Sequence, residues 1–185
     1  MKIYLVRHGE TDANKDKIMQ GQSQNLQLNQ NGVMQATNLK NKLKDIKFDV
    51  CFVSPLIRAW STAMIIAGEK VEIKEDKRLI ERYLGNLENK NRKLYDVNKY
   101  WNYELNSNDE DVEPIQDIFK RCNSFIEDIK NNYDNDAIIL IVSHGAITRC
   151  IHHILINSDL NKNLVDFKIE NCYCKEYQLN KGEQL

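Results

Sequence analysis

Proline is scarce in this chain, with two in 185 residues, and glycine is limited to seven. So few breakers exclude a proline-rich linker or a collagen-like tract, and no Pro-, Gly- or Ser-rich stretch divides the chain. No apolar run approaches the ~18 residues that a membrane span needs. The amino-terminal run is too short for a signal-peptide core and ends at Arg7, which argues against export. An excess of positive charge is missing as well: 26 Lys and Arg against 27 Asp and Glu give a net charge of −1. A nucleic-acid surface is therefore not expected, and any anion binding has to come from a local cluster. The five cysteines, Cys51, Cys122, Cys150, Cys172 and Cys174, are odd in number and lack paired metal-ligand spacing. They read as reduced thiols packed as small hydrophobes in a cytoplasmic protein.

What is present is a set of short apolar runs that stop at chemistry. With 42% hydrophobic and 29% charged residues, a chain of 185 has room for one domain with a sizeable core. Ile3 to Val6 has the length and residue types of a buried strand and runs straight into Arg7-His8-Gly9. Ala137 to Val142 is a stronger run and ends in Ser143-His144-Gly145. Two of the four histidines thus stand just past candidate central strands, each followed by glycine. In open α/β sheets, ligands bind at the carboxyl ends of the strands. There Arg7 supplies a charge that does not titrate away, and His8 a neutral, nucleophilic imidazole near pH 7.

Between these motifs the chain alternates. Thr11 to Gln30 is polar and reads as a loop or short irregular helix. Asn29 is placed to cap a helix in which Val33, Ala36, Leu39, Leu43 and Ile46 recur at helical spacing. Phe48 to Val53 reads as a strand. Ser54 then has the grammar of a cap and Pro55 that of a first helical residue, in a helix ending at Gly68. That puts Arg58 in the first turn, at the positive end of a helix dipole, where a cation is unfavourable. A local rule broken at a strand end points to a functional site. Val71 to Lys74 is a short strand, and Leu79 to Gly85 has no clean period. Asn86 to Val112 is polar with scattered aromatics, read as one or two short helices and a loop. Glu113-Pro114 opens a helix whose apolar stripe, Ile115 to Ile129, is core packing. The helix from Ala146 to Ile156 carries His152 and His153, neighbours that point in different directions and cannot both face one metal. Cys172 to Leu179 alternates as an edge strand. Strands alternating with helices make an α/β sandwich with a mostly parallel sheet and helices on both faces.

If Arg7, His8, Arg58 and His144 converge, they form a site for a tetrahedral dianion. Arginine forks match phosphate oxygens. There is no G-x-x-x-x-G-K loop and no Asp/His cluster with two-metal spacing, so phosphoryl transfer here would be metal-free. Leu5-Val-Arg-His-Gly-Glu-Thr11, Ser54-Pro-Leu-x-Arg-Ala59 with Thr62-Ala63, and Ser143-His-Gly145 resemble the histidine phosphatase superfamily, in its phosphoglycerate-mutase-like branch. The resemblance implies a three-layer α/β/α sandwich, phosphoglycerate mutase-like, over residues 1–185, with a cap or lid excursion at about 86–112. It implies that His8 forms a phosphohistidine, that Arg7, Arg58 and His144 hold the phosphoryl oxygens, and that Glu81 is the general acid. Asn14, Gln20, Gly21, Arg82 and Gly145 are implied as substrate-binding, and Glu113, Asp117 and Arg121 as structural. No metal and no cofactor is implied, and the partner is a small phosphorylated substrate rather than a membrane or nucleic acid. Departures stand at Ala13, where the family commonly has Trp, at Ile18, where it has Arg, and in Gln24 to Leu28, which replaces Asp-x-Pro-Leu.

Glu81 to Leu87 also resembles the mutase segment Glu-Arg-x-Tyr-Gly-x-Leu, with Leu84 in place of tyrosine. A mutase needs extra cations and a closed, dry site. Asn98 to Val112 offers Asp109, Glu110 and Asp111 and no arginine, which favours a phosphatase. A non-catalytic phosphate-binding protein and a metal-dependent hydrolase are the readings from other classes. Candidate substrates are an α-ribazole phosphate, a nucleotide, a sugar phosphate or a phosphoglycerate. Because Glu81 must first hold a proton, activity is expected to peak at mildly acidic to neutral pH.

Overall fold

Alternate residues of the first strand enter different cores. In β1 (Lys2–Arg7), Ile3 and Leu5 pack on one side, while Tyr4 and Val6 pack on the other. Such a strand is covered on both faces. The computed structural model describes residues 1–23 and 25–180, so Gln24, the first residue of the departing segment, lies outside the described residues.

Five strands form one sheet: β1, β2 (Val50–Val53), β3 (Glu72–Glu75), β4 (Ile138–Ser143) and β5 (Cys174–Gln178), in the order β3-β2-β4-β1-β5. All neighbours are parallel except β5, which runs antiparallel to β1. The helices are α1 (Asp12–Lys15), α2 (Gln30–Lys42), α3 (Ile57–Ala67), α4 (Val97–Tyr100), α5 (Ile115–Asn132) and α6 (Gly145–Leu155). The apolar stripes of α5 and α6 join Ile3, Leu5, Ile139 and Ile141 in one core. Leu39 of α2 and Ala59, Ala63 and Ile66 of α3 join Tyr4, Val6, Leu140 and Val142 in the other. The expected sandwich, with helices on both faces of a mostly parallel sheet, is therefore what forms. The apolar stripe of α5 is buried throughout. As expected, the Asn29 side chain caps α2, accepting the Gly32 N–H at 2.8 Å.

Two local expectations change. Helix α3 begins at Ile57, and its N-cap, Leu56, makes no side-chain cap bond, so Ser54 and Pro55 precede the helix. Cys172 has φ +54°, a left-handed conformation outside regular strand geometry, and β5 starts only at Cys174, although the Cys172 N–H still donates to the His8 carbonyl at 3.2 Å. His152 and His153 are both buried, 7% and 5% exposed. His152 bonds the Tyr177 hydroxyl, while His153 bonds Ser158 and the Leu164 carbonyl, which makes both structural. No helix among the described residues is long and apolar enough to cross a membrane.

Residues 85–112 contribute short turns, α4 and a small core of their own, in which Leu87, Tyr100 and Val112 meet Met19. Arg82 ties this excursion down. Its guanidinium donates to the carbonyls of Glu113 and Tyr100, each at 2.8 Å, and to the Tyr95 hydroxyl at 2.9 Å.

Candidate active site

Parallel register brings the two histidine motifs together. Arg7 pairs with Ser143, and the His8 N–H donates to the Ser143 carbonyl at 2.9 Å. Both chains then leave the sheet at one level, and the rings of His8 and His144 lie 5.1 Å apart at 61°. His8 Nδ1 is 2.7 Å from the Gly9 carbonyl. A carbonyl only accepts, so Nδ1 carries the proton and Nε2 keeps the lone pair. Burial, reinforced by Arg58 and Arg7, holds the His8 pKa well below 6.5, and the ring is neutral at pH 7.

His144 is fully buried, with Nε2 2.6 Å from the Ser54 hydroxyl and Nδ1 meeting no partner among the described residues. The Leu56 N–H donates to the same Ser54 oxygen at 3.3 Å. The hydroxyl keeps its proton and a second lone pair for His144 Nε2, and it is the tautomer in which Ser54 donates to Nε2 that offers a ligand a neutral Nδ1–H donor. Burial and then Arg58 keep this pKa also well below 6.5. Ser54, read from sequence as a helix cap, instead orients an active-site imidazole. A signal for it existed: it follows β2, whose Val53 pairs with Val142, so it stands level with the other strand-end residues.

Both arginines reach the site and are lowered to about 10, chiefly by burial and partly offset by Glu81. They remain charged at pH 7, and their desolvated charge favours an anionic ligand. Arg7 Nη1 donates to the Ile169 carbonyl at 2.8 Å, while its buried Nε has no partner among the described residues. Arg58 Nη2 donates to the Gly21 carbonyl at 2.8 Å. Thr62 accepts the Gly9 N–H at 3.0 Å and donates to the Arg58 carbonyl at 2.8 Å, locking the His8 loop to α3.

Glu81 Oε1 accepts the backbone N–H groups of Arg82 at 2.8 Å and Ala146 at 3.2 Å, so Oε2 is the oxygen left for proton transfer. Its segment is held from several sides. Ser143 Oγ donates to the Leu79 carbonyl, Arg121 to those of Arg78 and Ile80, and Gln22 Nε2 to that of Glu81. Arg121 is itself paired with Glu113 at 2.8 Å, in the structural role expected of both.

His8, two guanidiniums and a carboxylate line one cleft, with the buried His144 ring 5.1 Å from that of His8. The model of the histidine phosphatase superfamily (branch 1) matches residues 3–184. This chain belongs to the histidine phosphatase superfamily. It is 30% identical over 161 residues to phosphoglycerate mutase-like protein 4 of Arabidopsis thaliana, a stretch covering 82% of this chain and 69% of that protein. YhfR of Bacillus stearothermophilus superposes with a TM-score of 0.85 at 25% identity, covering 98% of this chain and 92% of that one. The phosphoserine phosphatase of Entamoeba histolytica, solved in complex with 3-phosphoglyceric acid, gives 0.77 at 27% identity, covering 95% and 89%. The chain is thus an enzyme of the phosphatase class.

The remaining predicted residues of this histidine phosphatase line the same cleft, of about 880 Å³. Asn14 Oδ1 accepts from the Thr11 backbone at 3.2 Å and from Asn171 Nδ2 at 3.1 Å, which fixes the amide and leaves its NH₂ as the available donor. Asn171 also donates to the His8 carbonyl at 3.1 Å, and nothing in the sequence marks it out. Gln20 is buried, its Oε1 without a partner among the described residues. A Cβ on Gly145 would sit 3.6 Å from Arg7 Nε and 3.8 Å from Glu81 Oε2, in ordinary contact with the protein but in the space a substrate needs. Arg82 borders the cleft, yet its donors hold the excursion, apart from a buried Nη2 with no partner among the described residues. Among the described residues no group of three His, Cys, Asp or Glu side chains is arranged to hold a metal.

Proposed function

We propose that this histidine phosphatase is a metal-independent phosphomonoester hydrolase working through a phosphohistidine on His8. The observation that carries this reading is the Nδ1–Gly9 bond, which leaves the Nε2 lone pair of a neutral ring beside two buried guanidiniums. Nε2 attacks phosphorus while the bond to the leaving oxygen breaks, and Glu81 gives that oxygen its proton. Arg7, Arg58, the Nδ1–H of His144 and the Asn14 amide hold the equatorial oxygens, where charge accumulates. Glu81 then takes a proton from water as it attacks the phosphohistidine, the N–P bond breaks, and phosphate leaves with His8 neutral again. Residues 86–112 act as the cap over this cleft. The five free cysteines suit work in the reducing cytoplasm.

The substrate we infer carries a second anionic group, as a phosphoglycerate does. Arg92 and Arg149 stand on the cleft wall near enough to Arg7 to depress its pKa further. Arg149 is seated 5.3 Å from the Trp101 ring and 4.7 Å from that of Phe167. A lone ester phosphate is matched by Arg7 and Arg58; the outer pair suits a carboxylate or a second phosphate beside it. The acidic run of the excursion is engaged elsewhere, Asp109 with Lys99 and Asp111 with the Tyr83 hydroxyl. Residues 98–112 bring no arginine, and their one lysine, Lys99, is paired with Asp109, which favours hydrolysis over mutase transfer.

Turnover of para-nitrophenyl phosphate by the purified protein in EDTA tests the reaction. Persistent hydrolysis is expected. Loss with chelator would point to the metal reading, and no turnover at all to a phosphate-binding protein.

A further inference from the structure

Glu88 lies in a polar stretch that the sequence does not single out, yet it is 9% exposed. Its carboxylate accepts three backbone N–H groups: Oε1 those of Gln22 at 2.8 Å and Leu84 at 3.1 Å, and Oε2 that of Ser23 at 2.9 Å. Gly21, at φ +51°, is packed so tightly against it that a Cβ there would fall 1.9 Å from Oε1. The carbonyl of this same Gly21 accepts Arg58 Nη2 at 2.8 Å. The negative charge of Glu88 also supports the charged state of Arg58.

We propose that Glu88 is a positioning residue for phosphate binding: it holds the 21–23 turn, and that turn aims the Arg58 fork. A carboxylate satisfies three convergent N–H groups where an amide, with one oxygen and one NH₂, cannot. Removing its charge lets the turn open and the Gly21 carbonyl drift from the guanidinium. Displacements of this size near a reacting centre weaken function without removing any group that touches substrate. The inference rests on the assignment of Arg58 as a phosphate ligand.

The test is a double-mutant cycle of Glu88→Gln and Arg58→Ala in the full-length protein. The readouts are kcat and KM for para-nitrophenyl phosphate and the inhibition constant of inorganic phosphate. Glu88→Gln alone should weaken phosphate inhibition and raise KM about tenfold, with a smaller change in kcat. In the Arg58→Ala background the same substitution should change the inhibition constant less than about twofold, because coupled residues are not additive. Additive effects, or wild-type phosphate inhibition in Glu88→Gln, would overturn the proposal. General loosening of the fold would act equally in both backgrounds. If Glu88→Gln does not fold, Glu88→Asp, which keeps the charge but shortens the reach, is run through the cycle under the same criterion. Arg58→Ala with unaltered phosphate inhibition would instead defeat the phosphate-ligand assignment itself.

Discussion

His8, Ser143 and His144 hang from the ends of paired parallel strands, while residues 86–112 reach the same cleft through short turns and a four-residue helix. The first region is fixed by a continuous hydrogen-bond ladder and two cores. The second is fixed by a handful of apolar residues and by the guanidinium of Arg82. The groups proposed to carry the chemistry hang from strand ends and the elements packed on them, whereas the excursion and the neighbouring loop 160–171 form the outer wall of the cleft. Substitutions in the two regions should therefore fail differently.

The sharpest break is His8→Ala, expected to lose on the order of 10³ to 10⁶ in rate, as removal of a catalytic nucleophile does elsewhere. Wild-type-like turnover of para-nitrophenyl phosphate by that variant would refute the nucleophile assignment. Ser54→Ala keeps every group that touches substrate but frees the His144 ring. It should cost about tenfold to a hundredfold in kcat/KM, the scale of a misplaced catalytic group. An unaffected variant would mean that Ser54 does not orient His144.

The excursion side is probed by ratio rather than rate. Arg92→Gln should lower the preference for phosphoglycerate over glycerol phosphate by about tenfold, the worth of one charged hydrogen bond. A ratio that does not move would contradict the second-anion reading.

These two regions also differ in how far the sequence discloses them. Arg7-His8-Gly9 and Ser143-His144-Gly145 were legible because a short apolar run stopping at polar residues marks a strand end, and parallel strands end together. The sandwich followed from the same alternation. Ser54 was misread because its hydroxyl fits a helix start equally well, and only the register of β2 with β4 shows it beside His144. Glu88 and Asn171 gave no signal, since polar residues in polar stretches are ordinarily solvated and their burial depends on contacts distant in the chain. The left-handed backbone at Cys172 was likewise invisible, because cysteine has no preference that announces it.

A smaller effect joins the regions. His8, His144, His152 and His153 all have pKa values lowered below 6.5 in the folded protein, each mainly by burial. The unfolded chain then binds more protons below pH 6.5, so stability is fully present above that value and is lost as pH falls through it. The urea midpoint should drop between pH 7.5 and pH 5.5. A midpoint that stays level would mean these rings are not held neutral.

The central claim is a covalent one, and it is read most directly on the protein itself. Quenching the enzyme rapidly in alkali during turnover, digesting it and locating the phosphoryl group by mass spectrometry and phosphorus NMR would decide it. One phosphoryl group is expected on His8, attached at Nε2, and none in His8→Ala. Turnover with no phosphoryl group on His8, or attachment at Nδ1, would contradict it.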